Sequence, residues 1–361
     1  MTMKVPQFRS FVDMSDYEAI KQVFERNYIA EGPCSKEFCD KLKEITGSEY
    51  GVLASNGTLA IYLALKALGI GPGDEVLVQN VSFIASANAI EMAGATPVFV
   101  DIPAYNDLTI DLDAIQLTPN TKALMIAHLF GTACSNTKEV VAYCKANNLL
   151  LVEDAAQALF ISDGKTHCGT FGDVGTFSFY ADKTITTAEG GFVCAKDPAV
   201  FEKMQYLRNQ GRKSSGTFVH PEIGYNFRMT DLQSALGLSQ LTKIDTIRRE
   251  KQKLAGLYAK YLGDNVTYLN IREDFDYIPF RVIAFVDDAE RTMAHMNEAG
   301  IEPRSMFYPF HKQPCYEHLG YTPDQFPNSE ECFRRGMCLP TWIGLTEDQI
   351  AYTAEKLLEA I

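Results

Sequence analysis

The sequence has no pair of cysteines at CxxC spacing, and its six histidines form no HExxH or facial-triad pattern. Nine cysteines at irregular intervals, an odd number, do not build a disulfide or zinc framework, and no metal is expected. With no signal-peptide pattern at the start, they suit the reducing cytoplasm, which is the expected location. No apolar run approaches the roughly 18–20 residues of a membrane span. Basic residues are outnumbered: 33 Lys and Arg stand against 46 Asp and Glu, a net charge of −13. That balance argues against nucleic acid as the main partner, because phosphate backbones need clustered cations. Repeats, low-complexity tracts and long Pro/Ser-rich linkers are also missing. What remains is an ordinary globular composition, 46% hydrophobic and 22% charged, over 361 residues. That length exceeds one core and predicts a large domain followed by a smaller one.

An extended arm (residues 1–12) precedes a helix from Asp13 to Ile29, with Ser15 and Glu18 as its expected capping box. Gly32-Pro33 ends it, and a second amphipathic helix covers Ser35–Ile45. From Tyr50 onward, short apolar runs alternate with helical periodicity. Strands are expected at 50–55, 75–79, 96–100, 123–128 and 149–153, with helices at 58–68, 82–92 and 138–147. Nearly continuous apolar strands alternating with helices indicate a mostly parallel α/β sheet covered on both faces. Ligands of such sheets sit beyond the strands' carboxyl ends, where Asn56, His128 and Asp154 fall. Helices are expected at 198–209, 230–240 and 243–262. After Gly263 the pattern changes to strands at 266–269 and 279–284, a helix at 289–298, an edge strand at 302–307, and helices at about 327–336 and 347–358. These suggest a small α+β domain, so we divide the chain at residues 1–250 and 251–361.

The stretch Leu149–Ala195 holds the most chemistry. It opens with LLLVED. Alternation along a strand sends Glu153 and Asp154 to opposite faces, so only one easily faces a ligand. Asp154 is the better candidate for a carboxylate that keeps a heteroaromatic nitrogen protonated, although a helix cap would also explain it. Gln157 could reach a ligand from the same turn. Lys183 lies in an uncharged run of small and β-branched residues after Asp182, where desolvation would lower its pKa enough for imine chemistry. Ser178 could bond a phosphate. The Asn56-Gly57-Thr58 turn between strand and helix offers unpaired N–H groups to an anion, or is simply a turn. Phe83 could stack on a flat ring or fill the core. His128 reads as a structural histidine. Arg304, Tyr308 and His311, in RSMFYPFHKQP, suit a phosphorylated or sugar ligand, although a surface turn would account for them nearly as well.

These residues carry a close resemblance to a known family. SNGTLAIYLALKALGIGPGDEV (55–76), SFIASANAIEMAGATPVFVDI (82–102), VEDAAQA (152–158), GTFGDVGTFSFYADKTITTAEGGFV (169–193) and GYNFRMTDLQSALGLSQL (224–241) are ordered and spaced as in the DegT/DnrJ/EryC1/StrS sugar aminotransferases. The resemblance implies a fold type I pyridoxal 5'-phosphate enzyme with a seven-stranded, mostly parallel sheet and a small C-terminal α+β domain. It implies that Lys183 bonds to the cofactor's aldehyde, Asp154 pairs with the pyridine nitrogen, Gln157 lies near the 3'-oxygen and Phe83 stacks on the ring. Gly57, Thr58 and Ser178 would bind the phosphate, and Asn226 would reach the phosphate of a neighbouring subunit's cofactor. A homodimer with shared sites follows, with the 209–220 loop, including His220, approaching the partner's sugar pocket. Glu189, Arg304, Tyr308 and His311 are the remaining substrate candidates.

The C-terminal segments 301–319 and 326–345 look most like the perosamine synthases. Those use L-glutamate to aminate C4 of GDP-4-keto-6-deoxymannose for surface glycans, with pyridoxamine 5'-phosphate as the alternate cofactor form. Lysine at 183 argues against the related dehydratases, which carry histidine there. A cofactor-binding regulator is disfavoured by the acidic charge and the lack of a DNA-binding helix pair. Another nucleotide keto sugar, a C3 ketone or a small phosphorylated ketone stays open. Three positions depart from the family pattern: Gln79 replaces a usual proline, Asp182 a common asparagine and Ala188 a usual glycine.

Overall fold

The computed structural model describes residues 3–212 and 218–361. Seven strands form the main sheet: β1 (Tyr50–Ala54), β2 (Glu75–Gln79), β3 (Thr96–Val100), β4 (Thr121–Ala127), β5 (Leu150–Asp154), β6 (Val174–Ser178) and β7 (Gly191–Ala195). Their order is β1-β7-β6-β5-β4-β2-β3. The pairs among β2 to β6 are parallel, and only β7 runs antiparallel, between β6 and β1. Both faces are covered, so β4 from Ala123 and β5 from Leu151 bury side chains in both directions, in keeping with their nearly continuous apolar sequences.

Eight helices accompany this sheet: α1 (Met14–Glu25), α2 (Pro33–Thr46), α3 (Gly57–Ala67), α4 (Ala85–Ala93), α5 (Thr137–Ala146), α6 (Pro198–Leu207), α7 (Asp231–Leu241) and α8 (Ile244–Leu262). Two expected boundaries shift. Helix α1 is capped by Asp13 with Asp16 rather than by Ser15 with Glu18, because the Asp13 carboxylate already takes the Ser15 N–H. It stops at Glu25, before Asn27 turns to a positive φ of 53°. Pro33, read as a breaker, is instead the first residue of α2, where a missing N–H costs nothing.

The smaller C-terminal domain holds a four-stranded antiparallel sheet ordered β10-β11-β9-β8. Its strands are β8 (Thr267–Tyr268), β9 (Val282–Phe285), β10 (Arg304–Ser305) and β11 (Gly336–Leu339), packed with helices α9 (Ala289–Glu298), α10 (Pro327–Arg335) and α11 (Glu347–Leu358). The N-terminal arm joins this part of the core. Val5 is fully buried, bridges Ile301, and lies beside a Trp342 indole that donates to the Pro6 carbonyl at 2.9 Å. The arm then reaches the main sheet beyond the carboxyl end of β6, where Ser10 Oγ donates to the Ala181 carbonyl at 2.7 Å. Residues 278–280 close the other side against Phe130-Gly131, through Ile278 N to Gly131 O and Phe280 N to Phe130 O, each 3.0 Å. A Cβ on Gly131 would meet the Ile278 carbonyl oxygen at 1.8 Å, so this approach requires glycine.

Candidate active site

The two adjacent carboxylates of β5 have different surroundings. Glu153 is fully buried and gathers three donors: the N–H groups of Gly169 (2.7 Å) and Gly172 (2.6 Å), and Nε2 of His128 (2.9 Å). His128 Nδ1 accepts from the Cys134 N–H at 3.1 Å, which assigns the ring proton to Nε2. Glu153 and His128 therefore tie loop 169–172 to the end of β4. They form scaffold, as read for His128. Asp154 faces the other way. Its Oδ2 accepts from Ser86 Oγ at 2.7 Å and its Oδ1 from the Ala156 N–H at 3.1 Å.

Ser86 sits in the first turn of α4, and its N–H donates to the Phe83 carbonyl at 3.2 Å. This contact fixes the Asp154 carboxylate relative to Phe83. Phe83 precedes the helix rather than lying within it and is 53% exposed, so part of the residue's surface is open to a ligand. Its edge meets Phe307, which stacks on Phe130 at 5.3 Å. Gln157 Oε1 accepts the Phe130 N–H at 2.7 Å, so its own NH2 stays available among the described residues.

On the other side, Asn56 caps α3 by accepting from the Leu59 N–H at 2.9 Å. Gly57 and Thr58 open the helix, where N–H groups have no intrahelical acceptor. Gly57 lies so close to the end of β6 that a Cβ there would stand 2.8 Å from Ser178 Cβ. The glycine thus lets helix start and serine converge, an arrangement of donors able to hold an anion.

Lys183 stands in the loop between β6 and β7, with its Nζ 4.8 Å from the Phe280 ring centroid. Although the residue keeps some exposure, desolvation pushes its amine below the ordinary lysine range. Arg281 adds to that, while Asp182 and Asp154 oppose it. Such an amine is a better nucleophile and base near neutrality than a surface lysine.

The structure thus brings Asp154, Lys183, Gln157, Phe83, Gly57, Thr58 and Ser178 to one end of the sheet. The other candidates have the following surroundings. Glu189 is exposed, its carbonyl accepting from Gln233 Nε2 at 2.8 Å. Asn226 is exposed, between Tyr225 and Phe227, which stack with centroids 4.7 Å apart. His220 is exposed, with Nδ1 2.6 Å from the Gln210 carbonyl. Residues 213–217 of the expected partner-facing loop lie outside the described residues. Arg304 is exposed beside Phe8, and Tyr308 packs on Phe333.

His311 requires a correction. It is buried and stacked on Phe326 at 4.5 Å, and both nitrogens are engaged, Nδ1 with Asn80 Nδ2 (2.8 Å) and Nε2 with Glu330 (2.9 Å). It supports the loop after β2 and has no nitrogen left for a substrate. Sequence reasoning also missed Ser86, a polar residue on an otherwise apolar helical face, and the cluster around Arg281.

Comparison with known proteins agrees with this geometry. Residues 12–358 match the DegT/DnrJ/EryC1/StrS aminotransferase family. The chain is 33% identical to GDP-perosamine synthase of Escherichia coli O157:H7, covering 98% of both chains. It is 36% identical to GDP-perosamine synthase of Caulobacter vibrioides, covering 90% of this chain and 92% of that one. Among solved structures, Streptococcus pneumoniae Spr1654 in its PLP-form superimposes with a TM-score of 0.91 at 26% identity, covering 99% of this chain and 98% of the other.

Proposed function

The chain belongs to the DegT/DnrJ/EryC1/StrS aminotransferase family, and from that premise we propose that it is a pyridoxal 5'-phosphate-dependent aminotransferase of nucleotide-linked keto sugars. In this reading it moves the amino group of L-glutamate to C4 of a 4-keto-6-deoxy sugar, GDP-4-keto-6-deoxymannose being the preferred acceptor. The names of the two relatives above support that choice of sugar. The observation that carries the reading is the convergence of a buried carboxylate, a desolvated lysine, an exposed phenylalanine and a helix-start anion cradle.

The residues fit the cofactor part by part. The cradle of Gly57, Thr58 and Ser178 suits a phosphate, and the space over the exposed Phe83 ring suits a flat heterocycle. Asp154, oriented by Ser86, would hold a proton on the ring nitrogen, and the uncommitted NH2 of Gln157 would meet the 3'-oxygen. The cofactor supplies an aldehyde that takes up an amino group and a ring that accepts the electron pair left when a proton departs. Lys183 would carry the cofactor. Its Nζ, released when the donor's amine takes its place, would take the donor's α-proton and return it two atoms away, on the carbon beyond the donor nitrogen. The low proton affinity of that amine fits both roles.

Asn226 stands exposed, suited to reach a neighbouring subunit. As the resemblance implies, we propose a homodimer with two shared sites, in which Glu189, His220, Arg304 and Tyr308 are the groups offered to the nucleotide sugar.

The test is a panel of GDP-, dTDP- and UDP-linked 3- and 4-keto sugars incubated with L-glutamate. Formation of 2-oxoglutarate and identification of the amino sugar by mass spectrometry and NMR report the outcome. Amination of the GDP-linked 4-ketone is expected. Loss of water from the sugar without amine incorporation would replace this reading by a dehydratase.

A further inference from the structure

Beside the reactive end of the sheet lies a group of buried charges. Arg281, only 4% exposed at its side chain, forms a 2.6 Å ion pair with Asp182, whose side chain is 12% exposed. The same guanidinium donates to the Phe280 carbonyl at 2.9 Å and lies 4.3 Å from the Phe280 ring centroid. Lys183 Nζ lies 4.8 Å from that same centroid. The two cations therefore share one aromatic ring and lie no farther apart than the sum of these distances. A buried guanidinium so close to an amine disfavours the ammonium form unless an anion cancels it. Asp182 is that anion, and it is also the residue next to Lys183 in the chain.

We propose that Asp182 is a positioning residue. Through its pair with Arg281 it neutralises the cation that would otherwise face Lys183 across Phe280, and so governs whether Nζ carries a proton near neutrality. This rests on Lys183 being the reactive amine. The other charged groups around the cluster are Asp154, which acts on Lys183 from β5, and Lys251 of α8, which feels both members of the pair. Arg304 of β10 and Cys338 of β11 act on Arg281. Burial pushes the Lys183 amine down, and Asp182 is first among the groups that pull it back up. Asparagine in place of Asp182 could hydrogen-bond Arg281 without cancelling its charge.

The experiment compares the wild type, Asp182→Asn, Arg281→Met and the double variant by pH titration of the visible absorbance band of the cofactor-loaded protein. Asp182→Asn leaves Arg281 uncompensated and should lower the midpoint by about one pH unit. Arg281→Met leaves Asp182 uncompensated and should raise it. The double variant removes both charges and should return close to wild type. Opposite shifts that cancel are not produced by a merely structural pair, which would lower thermal stability and leave the midpoint in place. Shifts in one direction, or none, overturn the proposal. If the wild type shows no visible band, the cofactor reading fails. The pH dependence of Lys183 acylation in the same four proteins, read by peptide mass spectrometry, then decides the proposal with the same order of midpoints expected.

Discussion

Exchanging Glu153 for glutamine and Asp154 for asparagine should separate stability from chemistry at two adjacent positions. The Glu153 carboxylate serves two backbone N–H groups and the His128 Nε2–H in a site closed to water. Glutamine has one oxygen, so its NH2 must face either Gly172 N–H or the pair Gly169 N–H and His128. The imidazole cannot relieve the conflict by changing tautomer, because Nδ1 is already an acceptor for Cys134. At least one buried donor is left unpaired, at about 1–3 kcal/mol, and the remaining bonds lose their charge assistance. Together these predict a loss of about 2–4 kcal/mol.

Asp154→Asn differs. The amide oxygen can keep the Ala156 N–H while the NH2 faces Ser86 Oγ, whose proton can turn toward Ser82 Oγ at 3.2 Å. Its stability cost should stay below about 1 kcal/mol. Asparagine cannot hold a proton on a ring nitrogen as a carboxylate can, so turnover should collapse. Urea unfolding midpoints and glutamate-dependent amination are the two assays. Equal destabilisation by both variants, or full turnover in Asp154→Asn, would refute the division of roles.

Lys251 predicts a pH effect. Burial pushes its amine down to about 7 from the ordinary 10.5. Between those values the unfolded chain binds the proton that the folded chain lacks. Stability should therefore rise with pH by up to about 1.4 kcal/mol per unit from this group and be flat below its folded pKa. Lys251→Met should remove that slope, as read by unfolding at several pH values. Ala188 adopts a φ of +66°, a left-handed conformation costing about 1–2 kcal/mol for alanine. Ala188→Gly should relieve it, offset in part by roughly 0.5–1 kcal/mol of glycine's chain entropy, and raise the urea midpoint slightly. Gly57→Ala would drive a methyl group against Ser178 at 2.8 Å. It should weaken cofactor binding while leaving the unfolding midpoint of the cofactor-free protein much less affected, as equilibrium dialysis would show.

The first five strands of the large sheet were legible because helices of clear 3.6-residue period separate β1 from β2, β2 from β3 and β4 from β5. The small sheet was less so. Strand β11 is four buried residues following a charged helix, too short to show any period, and no strand was expected after the helix ending at about residue 336. The expected strand at 279–284 begins instead at Val282, because Phe280 and Arg281 turn toward the lysine. Lys183 and Asp154 were legible because both sit in one stretch with a marked local pattern. Their supports were not: Ser86 is 68 positions from Asp154, and Arg281 is 99 positions from Asp182. No local spacing records such contacts. Asp182 was visible only as a departure from the family pattern, and the reason for it required Arg281. His311 looked like a ligand-binding residue among aromatics, whereas its partners Asn80 and Glu330 come from separate parts of the chain.

Lys183 is the residue expected to carry the cofactor. Borohydride reduction of the protein loaded with pyridoxal 5'-phosphate, followed by proteolysis and mass spectrometry, tests it directly. The peptide containing Lys183 should gain a single phosphopyridoxyl group, and Lys183→Ala should gain none. A label placed mainly on another lysine, Lys251 included, or the same labelling in Lys183→Ala, would contradict the assignment.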